Sequence, residues 1–194
     1  MILSNVEIAR CLGEGLFSIG PLAGNDPTQS PFNTSAVDLR LGNEILVPDK
    51  QAPIQLDLRK SGIAQFWAKH SKSLIITEEQ PFSLKPNQLI LAKTLESVDF
   101  PLNEEGGCFS ARVEGRSSLA RCGILIHFTA PTIHAGFAGT ITLEIINLGA
   151  YDFLLTPNMF VCQLIVEEVK GFPANAPNQF KGQQHPAGVV KSSG

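Results

Sequence analysis

No stretch of the chain approaches 18 uninterrupted apolar residues, the length that marks a membrane-spanning helix. The N-terminal MILSNVEIARCLGEG carries Glu7 and Arg10 where a signal peptide requires an apolar centre. A cytoplasmic protein with no membrane partner is the expectation. Basic runs are missing as well. Lys and Arg number 15 against 18 Asp and Glu, a formal net charge of −3, so the electrostatic footprint of a nucleic-acid-binding surface is absent. A small anionic ligand remains compatible with that balance. Cysteine is scarce and scattered: Cys11, Cys108, Cys122 and Cys162 form no close pair with the spacing of a zinc site or a disulfide framework. They are expected to be reduced thiols.

What is present suits a β-rich domain. A chain of 194 residues makes one domain that buries roughly 70% of its unfolded surface, enough for a core without staples. With 17 Gly and 13 Pro, turns are frequent. Ser4 with Glu7 three residues on is a capping-box spacing, and Gly13 and Gly15 supply a stop, which predicts one short N-terminal helix. Residues 23–35, dense in Pro, Asn, Ser and Thr, read as loop. In AVDLRLGNEILV, Val37, Leu39 and Leu41 alternate with Asp38 and Arg40, the period of a strand with one wet face. Residues 58–73 break that rhythm and predict a short helix around Trp67. Beyond them short runs alternate with turns: Lys85-Pro86-Asn87 separates two runs, GCFSARV leads into another, and IHFTAPTIHAGFAGTITLEIINLG predicts two strands. FLLTPNMFVCQLIVEEV predicts a final hairpin turning at Thr156-Pro157-Asn158. Many short strands with close turns imply an antiparallel barrel or jelly roll. Residues 172–194 lack periodicity and read as a flexible C-terminal tail, free to serve as a lid.

Familiar catalytic layouts are missing. There is no G-x-S-x-G elbow, no Gly-rich loop followed by Lys, and neither half of the H-x-E and P-C-x-x-C set of zinc deaminases. His70, His127, His134 and His185 stand far apart in sequence, and a lone His reads first as a hydrogen-bonding residue rather than a metal ligand. VEGRSSLARCG (113–123) is different, because Arg116, Ser117, Ser118 and Arg121 put two guanidinium groups and two hydroxyls within six positions after Gly115. Either a single helical turn there cradles an anion, a triphosphate being a natural guest, or it is a capped turn with two solvated arginines. In TITLEIINLG, Ile141, Leu143 and Ile145 share one strand face while Thr140, Thr142 and Glu144 share the other. Glu144 is then an exposed edge acid or a catalytic one. Gly136 and Gly139 flank Phe137 and permit close approach of backbone or a flat ligand, and Phe137 either stacks on a ring or belongs to the core.

Taken in order, AVDLRLGN (36–43), LAKTLESVDFP (91–101), EGRSSLAR (114–121), TAPTIHAGFAGTITLE (129–144) and FKGQQHPAG (180–188) resemble the dCTP deaminase branch of the trimeric dUTPase superfamily. GRSSLAR followed by G-x-x-G-x-I-x-L-E is a specific pair of motifs, and the closing Glu distinguishes the deaminase branch. The resemblance implies a distorted β-barrel or jelly-roll domain over 1–171, assembled as a homotrimer with active sites between subunits. It implies hydrolytic deamination of dCTP to dUTP and ammonia with no cofactor. Mg2+ enters as the partner of the triphosphate, and dTTP is a candidate inhibitor. Glu144 becomes the proton shuttle, Ser117 and the Ala130 carbonyl orient the water, and Arg121 sits by the cytosine. Arg116 and Ser118 hold phosphates, with Leu119 and Ala120 of the same turn in the substrate set. Phe137 packs on the deoxyribose, backbone groups of Thr142 and Leu143 read the pyrimidine edge, and Lys181 and Gln183 on the tail approach the triphosphate. By the same resemblance, Leu143 and Ile145 raise the pKa of Glu144 and Arg121 lowers it.

Three positions depart from the family pattern. His134 stands where most members have an Asp that touches the sugar hydroxyl and, in dUTPases, helps activate water. Phe172 and Gln179 fall near the places of a tail Tyr and Lys. A dUTPase-like or bifunctional pyrophosphatase, and a non-catalytic nucleotide-binding trimer, are the alternative readings.

Overall fold

Ser4 caps the first helix, α1 (Asn5–Gly13), by accepting the Glu7 N–H on its Oγ at 3.3 Å. The reciprocal half of the box is replaced by an outward contact of the Glu7 carboxylate with Arg10. The structure, a computed structural model, describes residues 1–49, 57, 62–174 and 182–188. Twelve strands follow α1 among these residues, interrupted by two more helices: β1 (Ser18–Gly20), β2 (Phe32–Asn33), β3 (Ala36–Pro48), α2 (Ile63–Lys69), β4 (Ser71–Ile75), β5 (Phe82–Leu84), β6 (Leu89–Asp99), β7 (Cys108–Gly115), α3 (Ser117–Ala120), β8 (Ile124–Ile126), β9 (Thr132–Ile133), β10 (Ala138–Asn147), β11 (Phe153–Leu155) and β12 (Phe160–Val169). The main sheet runs β8-β10-β6-β3-β12-β7-β9, with β1, β2 and β4 attached at its sides. No helix among the described residues is long and apolar enough to cross a membrane.

The long strand β3 joins the two halves. Its first residues pair with β12 and β2, its later ones with β6 and β4, and the sheet curls so that both halves share one core. Leu39, Leu41, Ile45, Ile90, Leu143, Ile145 and Leu164 are fully buried there. The four cysteines are free thiols, and burial, with the nearby Glu96 and Asp38 carboxylates, pushes the Cys162 thiol far up.

Three expectations change. The wet face of β3 is not wet: Asp38 is buried, accepting from Asn33 and Gln163 at 3.0 Å each and lying 3.3 Å from Arg116, while Arg40 pairs at 2.7 Å with the buried Glu96. The polar half of the alternation was real, but partners from four other segments seal it. The final hairpin does not form, since β11 pairs with β5 in a separate two-stranded sheet and β12 inserts between β3 and β7. Both Pro-Asn turns, at 86–87 and 157–158, are present with Asn at positive φ, as turns of this sequence favour, yet each joins strands that pair elsewhere. Finally, β2 lies inside the expected loop, while residues 126–149 hold β9 and β10 whole and only the last residue of β8.

One irregularity sets the phase of β10. Between the pairs Thr140↔Ser97 and Thr142↔Lys93, Ile141 alone faces the three residues 94–96 of β6. The Thr94 hydroxyl bridges the gap: it accepts the Ile141 N–H at 2.9 Å and donates to the Glu96 carbonyl at 2.6 Å. Thr94 is fully buried, so Thr94→Val leaves two polar groups without partners. It is expected to cost about 1–3 kcal/mol, read as a lowered urea midpoint at unchanged slope.

Candidate active site

β10 presents its second edge to three different neighbours. The ladder with β6 occupies one edge throughout, whereas β8 pairs on the other edge only at 145–147. At the opposite end of that edge the tail takes over, with the Gly182 N–H donating to the Ala138 carbonyl at 2.6 Å and the Thr140 N–H to the Gln183 carbonyl at 3.1 Å. Between them the His127 N–H reaches the Glu144 carbonyl at 2.9 Å. By strand alternation the N–H and C=O of Thr142 face the same edge as the Glu144 carbonyl, and no strand of the described residues covers them. An open edge of this kind offers one donor and one acceptor to a planar ligand.

The side chain of Glu144 leaves that strand on the face opposite the core, as the alternation predicts: Leu143 and Ile145 are fully buried and Glu144 is 37% exposed. Its Oε2 lies 3.0 Å from Nδ1 of His127, a residue directly after β8 with φ of +53° and a side chain only 7% exposed. Burial pushes the carboxyl pKa up, but the His127 hydrogen bond and imidazole charge, with the residue's own N–H, outweigh it and hold Glu144 below the ordinary carboxylate value. Glu144 is therefore a base at neutral pH. Within one chain the lowering comes from His127, and Leu143 and Ile145 point into the core, away from the carboxylate. Nothing in the local sequence marks His127 out. Its position follows from the β8–β10 register, in which Ile126 faces Ile145.

Glu144 opens into a cavity of about 430 Å³, within the range of small-ligand sites. His127, Ala130, His134, Phe137, Thr142 and Gln183 share its wall, and Glu144 is its one carboxylate among the described residues. Phe137 belongs to the core cluster, as one reading had it, and the same ring also borders the cavity. Leu143 is not in the wall: its side chain fills the core, and by the same alternation its N–H and C=O face β6. Gln183 is buried, its side-chain amide donating to the Thr140 carbonyl at 2.9 Å. Ile63, Ala64 and Trp67 of α2 and Pro186, Ala187 and Gly188 of the tail close the more apolar end. Lys181 and Gln179 lie outside the described residues.

The Arg-Ser turn is elsewhere. α3 is the expected single helical turn: its bonds begin with Leu119 and Ala120 N–H donating to the Arg116 carbonyl, which leaves the Ser117 and Ser118 N–H groups at its open end. Arg116 is tied to Asp38 at 3.3 Å, with its guanidinium over the Phe160 ring. Ser117, Ser118, Ala120 and Arg121 are exposed, and Leu119 packs against the core. Arg121 borders a second, shallower depression with Tyr151 and Phe153. Within one chain, then, the acid and its cavity are brought together and the two-arginine turn is not among the cavity walls.

A family model described as dCTP deaminase-like matches residues 2–169. The dCTP deaminase of Actinobacillus pleuropneumoniae serotype 5b is 37% identical over 192 residues, spanning 95% of this chain and 94% of that protein. That of Mannheimia succiniciproducens is 38% identical over 193 residues, again 95% and 94%. Among solved structures, the 2'-deoxycytidine 5'-triphosphate deaminase of Agrobacterium tumefaciens shares the fold with a TM-score of 0.63 at 16% identity. The match covers 85% of this chain and 47% of that one, so the present chain spans about half its length. With a family model over most of its length and near-full-length relatives above 30% identity, the chain belongs to the dCTP deaminase-like family.

Proposed function

We propose that the protein deaminates dCTP to dUTP and ammonia. The observation that carries the reading is Glu144: an ionised carboxylate in a cavity wall, held by His127, beside the open backbone edge of Thr142. The pyrimidine edge pairs with that backbone, which brings carbon 4 to the carboxylate. Water attacks carbon 4 while Glu144 takes its proton and passes it to ring nitrogen 3. Glu144 then collects the second proton of the attacking water and delivers it to the amino nitrogen, which leaves as ammonia as the carbonyl forms. The Ala130 carbonyl orients the water from within the cavity, and the bulk of Phe137 packs on the deoxyribose.

A neighbouring copy supplies what one chain lacks. Ser117 and Arg121 near the water and base, and Arg116 and Ser118 with the rest of the turn on the phosphates, reach the cavity across a subunit interface of a homotrimer. Mg2+ arrives with the triphosphate. Phosphate hydrolysis is the weaker reading, because among the described residues the cavity's one carboxylate is Glu144 and the sugar end carries His134, which cannot serve as a fixed anionic base.

Purified protein with dCTP and Mg2+ is expected to release ammonia and dUTP, with no pyrophosphate from dCTP or dUTP. Pyrophosphate release would favour the hydrolase reading. Tight nucleotide binding without either product would favour a non-catalytic binder.

A further inference from the structure

The outer face of the sheet beside Glu144 is apolar where a solvent face should be polar. On β3, β6 and β10 the residues Leu46, Leu91 and Glu144 stand side by side in register, with Lys93 facing Thr142 in the next row. Ile45, Ala92 and Leu143, on the other side of the same strands, fill the core; Leu46 and Leu91 are nevertheless 1% and 6% exposed. What covers them is a second small apolar cluster, Trp67 of α2 and Ala187 of the tail.

Polar groups clamp the same segment from the side. Lys93 Nζ donates to the Gln184 carbonyl at 2.7 Å and lies 3.3 Å from Glu44 Oε2. His185 Nε2 lies 3.4 Å from Glu44 Oε1, which also accepts from the Ser73 hydroxyl at 3.2 Å. The Ala187 N–H donates to His185 Nδ1 at 3.1 Å, so the neutral ring carries its proton on Nε2, toward Glu44. The clamp thus closes without a charged imidazole. At its other end the segment lies on β10 over Gly139, where a Cβ would meet the Gln183 carbonyl oxygen at 2.6 Å.

We propose that Glu44, Lys93 and Trp67 are positioning residues of the active site: they form a fixed plate on which residues 183–188 dock, and through that docking they set Gln183 and the apolar end of the cavity around the nucleotide. Lys93 faces Thr142 across the ladder, yet its ammonium is committed to Glu44 and to the tail carbonyl. It acts on substrate only through the tail. The proposal takes the cavity as the nucleotide site and rests on that part of the functional reading.

The test is backbone hydrogen exchange over residues 182–188 in the full-length protein, with dCTP kinetics alongside. Lys93→Met keeps the packed stem and removes the amine. Gly139→Ala blocks the segment from the opposite side. Each is expected to speed exchange of this segment about tenfold, as loss of a charged hydrogen bond or a packed contact would. KM for dCTP is expected to rise by a similar factor, with kcat within about twofold. Unchanged exchange in Lys93→Met and Gly139→Ala would overturn the docking. Faster exchange with KM unmoved would overturn the positioning role. Exchange needs no turnover, so a wild-type protein that leaves dCTP intact would count against the functional reading while the docking is still decided.

Discussion

Glu144→Gln is expected to lower dCTP turnover by about 10²–10⁴-fold or more, the usual worth of one proton-transferring group, with nucleotide affinity little changed. Gln keeps the shape of Glu and can still meet Nδ1 of His127, so the cavity should survive while the base is gone. The sharper form of the experiment uses the split between cavity and Arg-Ser turn. Arg121→Ala should also be nearly inactive, since its guanidinium is exposed in the lone chain and free to reach a neighbour's cavity. Mixing the two inactive variants under conditions that exchange subunits should then restore activity. If each site takes its acid from one subunit and its arginine from the next, about one quarter of sites in a random one-to-one mixture carry both wild-type residues. Recovery near that fraction supports a shared site. Recovery of nothing, with exchange verified, would place acid and arginine on the same chain and sink the intersubunit arrangement.

Strand periodicity made the orientation of Glu144 legible in the letters alone, because a period of two needs no knowledge of the neighbours. The same rule read β3 correctly in phase and wrongly in environment: Asp38 and Arg40 do oppose Val37, Leu39 and Leu41, but Glu96, Arg116 and Gln163 arrive from distant segments, with Asn33 from the adjacent β2, to cover them. Pairing partners are non-local, which is why the two Pro-Asn turns could be placed while the hairpin expected at the second of them could not. A usable signal was present in LILAKT, where Leu89 and Leu91 on one face and Ile90 and Ala92 on the other mark a strand covered on both sides. That pattern announces a cover over the Glu144 face, although not that Trp67 and Ala187 supply it. His127 had no comparable signal. Its one local peculiarity, a left-handed backbone, is tolerated by His better than by most residues and is invisible in the string of letters.

His127 is also where the second large effect is expected. His127→Ala removes the hydrogen bond and imidazole charge that hold the Glu144 pKa down, leaving burial to push it up. If deamination requires the ionised carboxylate in the free enzyme, the acidic limb of the kcat/KM profile moves to higher pH in this variant. At neutral pH turnover falls, by roughly 10²-fold if the carboxylate also swings out of line. The same coupling has a stability side. A carboxyl whose folded pKa is depressed contributes stability above its unfolded pKa and loses it as the pH falls through the folded value. Wild type should therefore lose more stability than His127→Ala as the pH falls from the ordinary carboxylate range through the lower folded value, which acid titration followed by circular dichroism would show. Alanine at φ of +53° keeps the left-handed Cβ penalty and loses the side-chain contact that helps hold the backbone there, so a lower melting temperature alone says nothing about Glu144. His127→Asn separates the two effects. Asn accepts the left-handed backbone and places its amide N–H near the position of Nδ1, so it restores the hydrogen bond without an ionisable ring. It should return most of the turnover and bring the acidic limb part of the way back, because the charge contribution stays lost. An Asn variant as impaired as the Ala variant, with its acidic limb where wild type has it, would mean that His127 supports the fold of this corner and not the carboxylate.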